Sequence, residues 1–386
     1  MGILFFEIKK NFLKPSILIC IVVFSIINIF KITVGYDSFL LTEHHIVSPH
    51  TGYEKIYVEK LSGKLTDEKV NFVRGYYKEL LKETSKVDYS TEYDENRYTG
   101  YLFGDLNLLK RDVIPLLEYN YMYNSNMVDV LDKANYNVKF YSSIGNKYER
   151  AKNKRIAEMY KNRKIEDTTN NRGISYYFRY DFSALLVILL LIFGLSTVFC
   201  NENETQMVEL IRTSKNRKKT VTMKFLASFI YVFAISLYFY LMDLILIYMI
   251  SGTDSFFVPI YSLPFFKLTP LNMSVIGFIF LDFGMKFMVF TLMGIFLLYI
   301  SYYLKRTVNS LVFGIIAISS LIMANDFFKT VLNPVSLITN YSMVREFEGL
   351  NVFGICVLNY EAAIIVSMSY FFVLCACIRK QAIKWY

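Results

Sequence analysis

With 386 residues, 54% of them hydrophobic and only 19% charged, the chain is too apolar for a soluble protein of its size. Its 42 Lys and Arg exceed its 33 Asp and Glu by nine, yet no basic segment carries a nucleic-acid reader motif, so nucleic acid is set aside as a partner. The charge is segregated: more than half of it lies between Asp37 and Arg179, where acids and bases nearly balance, and the excess of Lys and Arg flanks the hydrophobic stretches.

In chain order, Met1–Lys14 places Phe5, Phe6, Ile8 and Phe12 around Glu7, Lys9 and Lys10, a pattern that predicts an amphipathic helix lying in the headgroup layer. A helix crossing a hydrocarbon core needs roughly 20 apolar residues. Six stretches are candidates, at approximately Pro15–Ile32, Phe182–Phe199, Lys224–Ile250, Met273–Tyr302, Ser310–Met323 and Phe353–Ile378, the fifth being short. No small-residue cleavage site follows Phe30, so the first stretch is expected to stay as an anchor.

Between the first two stretches, Thr66 caps an expected amphipathic helix through Val70, Val73, Tyr77, Leu80 and Leu81, with Asp67 and Glu68 in its first turn. A second helical pattern runs from about Asn126 to Lys164, with Asn135 to Asn146 as an expected interruption. The basic run from Lys147 to Lys164 is expected to be a solvated helix face, or else a contact for anionic headgroups. His44, His45 and His50 cluster beside Glu43 and Glu54, but their spacing matches no closed zinc site, and no metal is expected there. All five cysteines sit in or beside the hydrophobic stretches, which leaves the inserted region without a disulfide.

Orientation follows from Lys and Arg in the short loops. Lys9, Lys10 and Lys14, then Arg212 to Lys219, Lys305 with Arg306, and Arg379 with Lys380 and Lys384 all fall on one side. The expected protein is an all-α integral membrane protein of the plasma membrane with both termini cytoplasmic. Its parts are an interfacial helix over 1–14, a first span over 15–34, a mostly helical extracellular domain over 35–180, and spans two to six over 181–386.

Residues Asn201–Lys224, NENETQMVELIRTSKNRKKTVTMK, join the second and third stretches. Acids, an amphipathic turn through Met207, Leu210 and Ile211, and a basic exit follow one another. The segment resembles the coupling segment of type-2 ABC exporter permeases. On that resemblance Glu202 or Glu204 takes the acidic position, Thr213, Ser214, Lys215 and Arg217 the basic turn, and Lys224 the lysine that opens the next span. The family's glycines near Gln206 and Asn216 are missing. The N-terminal segment resembles the family's elbow helix, and Leu332-Asn333-Pro334 with Ser336 to Val344 resembles its partly re-entrant outer segment.

The resemblance implies a permease subunit whose residues 201–219 contact an ATPase through Glu202, Glu204, Met207, Glu209, Leu210, Ile211, Arg212, Lys215 and Arg217. No G-x-x-x-x-G-K-[ST] occurs, so ATP and Mg belong to a separate ATPase subunit, expected in two copies, and this chain carries no cofactor of its own. A second permease, identical or related, and membrane lipid complete the expected partners. The implied cargo is an amphipathic peptide or lipid-like molecule, and the source a bacterium.

Asp243, Asp282, Lys286 and Glu361 are ionisable residues set within the apolar stretches. Asp282 and Lys286, four apart, share a helix face and are expected to pair. Counted inward, Asp243, Asp282 and Glu361 all fall roughly 10–15 Å deep, which suggests an acidic belt along a substrate path, with internal pairing as the alternative. Two other functions stay open: an extracellular sensor anchored by the spans, and a membrane metalloenzyme using His44, His45 and His50.

Overall fold

The computed structural model describes residues 2–43, 63–85, 106, 109–214, 217–252, 255–328, 330–339 and 341–385. The histidine cluster lies outside them. Helix α1 (Gly2–Asn11) leads through a tight turn into α2 (Pro15–Glu43), the first span. The insert contains β1 (Gly63–Lys64), α3 (Asp67–Thr84), α4 (Ile114–Ser143), α5 (Lys147–Tyr160) and β2 (Asp167–Thr168). Next come α6 (Arg172–Arg179), α7 (Phe182–Leu195), α8 (Cys200–Glu204) and α9 (Met207–Thr213), then the long α10 (Arg217–Ser251), α11 (Val275–Tyr303) and α12 (Thr307–Phe328). A hairpin of β3 (Gly349–Val352) and β4 (Ile355–Leu358) feeds α13 (Asn359–Trp385).

Among the described residues six helical stretches are long and apolar enough to cross a membrane: Pro15–Leu40, Arg172–Glu204, Arg217–Ser251, Val275–Tyr303, Thr307–Phe328 and Asn359–Cys377. They are spans one to six below. The fifth is a full 22-residue helix, longer than its apolar stretch predicts. The sixth begins at Asn359 rather than Phe353, because Phe353 and Gly354 form the two-residue turn of the β3–β4 hairpin. Both have positive φ, 51° and 87°, the geometry that lets a two-residue turn follow strand twist. The two short strand pairs are the departure from an all-α fold.

Span two is the most enclosed element and packs against spans one, three and four. Its core face, including Leu190, Leu191 and Leu195, meets Val232 and Phe239 of span three and Val289, Met293 and Leu297 of span four in one apolar cluster. Gly194 permits a close approach to span three, since a Cβ there would stand 2.6 Å from the Tyr231 ring. That ring stacks on Phe12 with centroids 4.4 Å apart and donates its hydroxyl to the Leu190 carbonyl at 2.8 Å, pinning the end of α1 to the bundle.

In the insert, Thr66 accepts from the Lys69 amide and starts α3 as its sequence predicts. Asn146 caps α5 by accepting from the Glu149 amide at 3.1 Å. The expected twelve-residue interruption reduces to Ile144–Asn146, where Gly145 takes φ 69°. Asn135 to Ser143 stay helical because α4 and α5 fold back on each other, with Asn137 donating to Asn153 at 3.0 Å. Val73, Leu80, Leu109, Val113 and Leu117 form a separate small core where α3 meets the start of α4.

Candidate functional site

At the end of the bundle that carries the N-terminus, four charged side chains form a closed network. Lys224, on the second turn of α10, is 1% exposed. Its ammonium donates to Glu7 Oε2 at 2.9 Å and to Glu202 Oε1, and Lys10 donates to the same Glu202 oxygen at 2.8 Å. Asn11 adds an amide donor to Glu7 at 3.0 Å. Two acids and two lysines balance, as burial requires, because an unpaired ion in the interior costs several kcal/mol (~3–5 when one partner of a pair is removed). The network ties α1, the short α8 and span three into one body.

Glu204 serves a different purpose. Its carboxylate accepts the Thr307 backbone amide at 2.7 Å and the Thr307 hydroxyl at 2.8 Å, capping the start of span five. Between Glu204 and α9 the chain reverses through Gln206, whose φ of 58° is left-handed. Helix α9 then turns Val208 inward and leaves Met207, Glu209 and Leu210 exposed, Leu210 at 65%. Ile211 is half-buried against the core, and Arg217 is exposed at the start of α10. Lys215 and the Arg212 side chain lie outside the described residues.

The sequence-based reading of Glu202 as a contact for another subunit is therefore corrected: it points into its own chain. Glu7 and Lys10, the other members of the network, escaped the sequence reading, because nothing in a single sequence links position 7 to position 224. The one available signal was Glu7 itself, an acid on the otherwise apolar and basic first helix.

Toward the other end, Asp243, Asp282 and Lys286 come together as the spacing implies. Lys286 Nζ lies 3.2 Å from Asp282 and 3.7 Å from Asp181, and Tyr240 donates to Asp282 at 3.0 Å. Asn28 of span one donates to Asp243 at 2.6 Å and accepts from Tyr180 at 2.6 Å. Glu361 does not join them. It sits in the first turn of α13, only about 3 Å along the helix at 1.5 Å per residue, and its carboxylate pairs with Arg155 of the insert. The belt of three acids at one depth is corrected accordingly: an insert cation absorbs the third acid.

The insert grips the bundle through both neighbouring loops. Arg155 also donates to the Cys356 carbonyl at 2.6 Å, while Tyr148, seven residues earlier on the same helix face, donates to the Gly349 carbonyl at 2.7 Å. Arg163 is buried rather than solvated, donating to the Thr269 and Leu271 carbonyls at 2.9 and 3.1 Å. Its guanidinium lies 4.0 Å from the Tyr160 ring centroid and 4.8 Å from that of Tyr261. Tyr160 and Tyr119 donate to the Leu268 and Tyr261 carbonyls. Burial pushes the Tyr123 phenol up to about 12, and burial raises Tyr160 and Tyr261 as well, with Arg163 pulling each back.

Among the described residues no group of three or more His, Cys, Asp and Glu is placed to hold a metal ion. The chain matches no family model, no curated protein and no solved structure.

Proposed function

We propose that this chain is the membrane-spanning permease subunit of an ATP-driven exporter of the type-2 ABC kind, working with a separate ATPase and a second permease. The observation that carries this reading is helix α9: it presents Met207, Glu209 and Leu210 outward, while the residues just before it are bolted to three other elements. Glu202 reaches α1 and span three through Lys10 and Lys224, and Glu204 holds the start of span five. A force applied to the exposed face of α9 is thus delivered to spans two, three and five together. The left-handed backbone at Gln206 supports the same reading, since glycine, which the resemblance expects near this position, is the residue that adopts it most readily.

On this reading α9 faces the cytoplasm, the insert is extracellular, and an amphipathic peptide or lipid-like molecule is the cargo. Protein purified to homogeneity is expected to lack ATP hydrolysis and to acquire it when recovered with a P-loop subunit from its native membrane. Hydrolysis by the isolated chain would overturn the proposal. The docking of α5 on both loops at the insert end favours a second role, in which the insert senses an external molecule and alters the spacing of spans three to six.

A further inference from the structure

Asp243 is a carboxylate with no cation of its own. It is 4% exposed and stands about 12 Å inside span three from Ser251, counted at 1.5 Å per residue. Among the described residues no Lys, Arg or His lies within ion-pair distance of it. Its hydrogen-bond donor is the neutral amide of Asn28, itself held by the Tyr180 hydroxyl. The one ammonium nearby, Lys286, lies between Asp282 and Asp181. With Lys286 already beside Asp282, an ionised Asp243 would add an uncompensated charge to an apolar interior, which burial strongly disfavours.

A small chamber of about 20 Å³ adjoins the carboxyl, bounded by Asp243, Lys286, Ser183, Ser236 and Tyr180. One water needs roughly 10–15 Å³ by the same measure and two to four polar partners, and the chamber offers both. Tyr177, also on its wall, is 4% exposed, and its hydroxyl has no hydrogen-bond partner among the described residues. A buried phenol is seldom left in this way and points to an exchangeable species in the chamber.

We propose that Asp243 is a proton-binding site inside the membrane, protonated in this conformation and exchanging its proton through the chamber that it shares with Lys286. This goes beyond the permease reading and stands without it. The exchange balances by itself: carboxylate and hydronium give carboxylic acid and water, and the reverse step returns the proton to water. A metal cation is disfavoured because the Lys286 ammonium faces the same space and because 20 Å³ cannot hold a shell of oxygen ligands. Asp181, between α6 and α7 with its side chain 23% exposed, links Lys286 to a partly exposed carboxylate.

The charged and titratable groups around Asp243 decide what ionisation does. Tyr176, Tyr177 and Tyr180 of span two, Tyr240 of span three, and Lys286 with its two acids are the titratable groups that surround it. When Asp243 loses its proton, the carboxylate left behind shares the chamber with the Lys286 ammonium.

Dicyclohexylcarbodiimide, which reacts with protonated carboxyls in apolar surroundings, tests the proposal on the full-length protein in lipid nanodiscs, with the site of modification read by mass spectrometry. Asp243 should be modified, with a rate that falls about tenfold per pH unit on the alkaline side of its titration, and Asp243→Asn should remove that adduct alone. Because the wild-type measurement stands without the variant, a variant that fails to fold does not block the test. Modification absent at every pH, independent of pH, or suppressed by sodium ions at constant ionic strength would overturn the proposal.

Discussion

Replacing Lys224 by Met removes the centre of the buried network while keeping a flexible side chain of similar length. Glu202 retains Lys10 at 2.8 Å, but Glu7 is left with the Asn11 amide as its donor in place of an ammonium at 2.9 Å. Glu7 is 3% exposed, so its charge cannot turn to water without unseating α1. The expected loss is ~3–5 kcal/mol for breaking one side of a buried pair, a large share of a total stability on the order of 5–15 kcal/mol. Adding Glu7→Gln removes the orphaned charge and keeps the hydrogen bond to Asn11, so the double variant should recover most of the loss, to within about 1–2 kcal/mol of the wild type. Reversible unfolding in mixed micelles, followed by helical circular dichroism, measures all three proteins. A double variant as unstable as Lys224→Met alone would refute the argument that an uncompensated Glu7 causes the damage.

Glu204→Ala should lower stability through loss of the cap on span five and leave Thr307→Ala with little further effect, measured as a double-mutant cycle in the same assay. Arg155→Ala should release the β3–β4 hairpin; Cys356, now buried and with its thiol pushed up by burial, should then react several-fold faster with a maleimide in a background where the other cysteines are serine. No change in rate would mean that Arg155 does not hold the hairpin. The tyrosines under the insert give a pH prediction: Tyr123, folded, titrates at about 12, above its ordinary value. Its contribution to docking should be complete below pH ~10 and lost as pH rises through about 12, visible as delayed tyrosinate absorbance; titration at the ordinary phenol value would contradict the buried arrangement.

The six spans and the capped helix at Thr66 were legible because apolar length and N-cap chemistry are local properties of a sequence. The Asp282–Lys286 pair was legible for the same reason, being four residues apart on one helix. Pairs separated by about two hundred positions were not: Lys224 with Glu7, and Arg155 with Glu361, depend on which helices become neighbours. In the basic run from Lys147 the solvated face expected from alternating charges holds at Lys147, Arg150, Lys154, Lys161 and Lys164, whereas Arg155 and Arg163 turn inward to donate to backbone carbonyls far away in the sequence. The boundary of span six was misplaced because Phe353 is apolar yet sits at a hairpin tip, fully exposed.

The central claim is that the exposed face of α9 is where a separate ATPase pushes on this chain. A photo-reactive crosslinker placed at Leu210, activated in native membranes, measures it most directly. The account predicts capture of a polypeptide bearing a P-loop, and loss of its ATP-dependent transport partner activity when Leu210 is replaced by Asp while Glu202, Lys224 and the rest of the buried network are untouched. Efficient crosslinking at Leu210 to lipid alone, with no ATPase recovered, would contradict it.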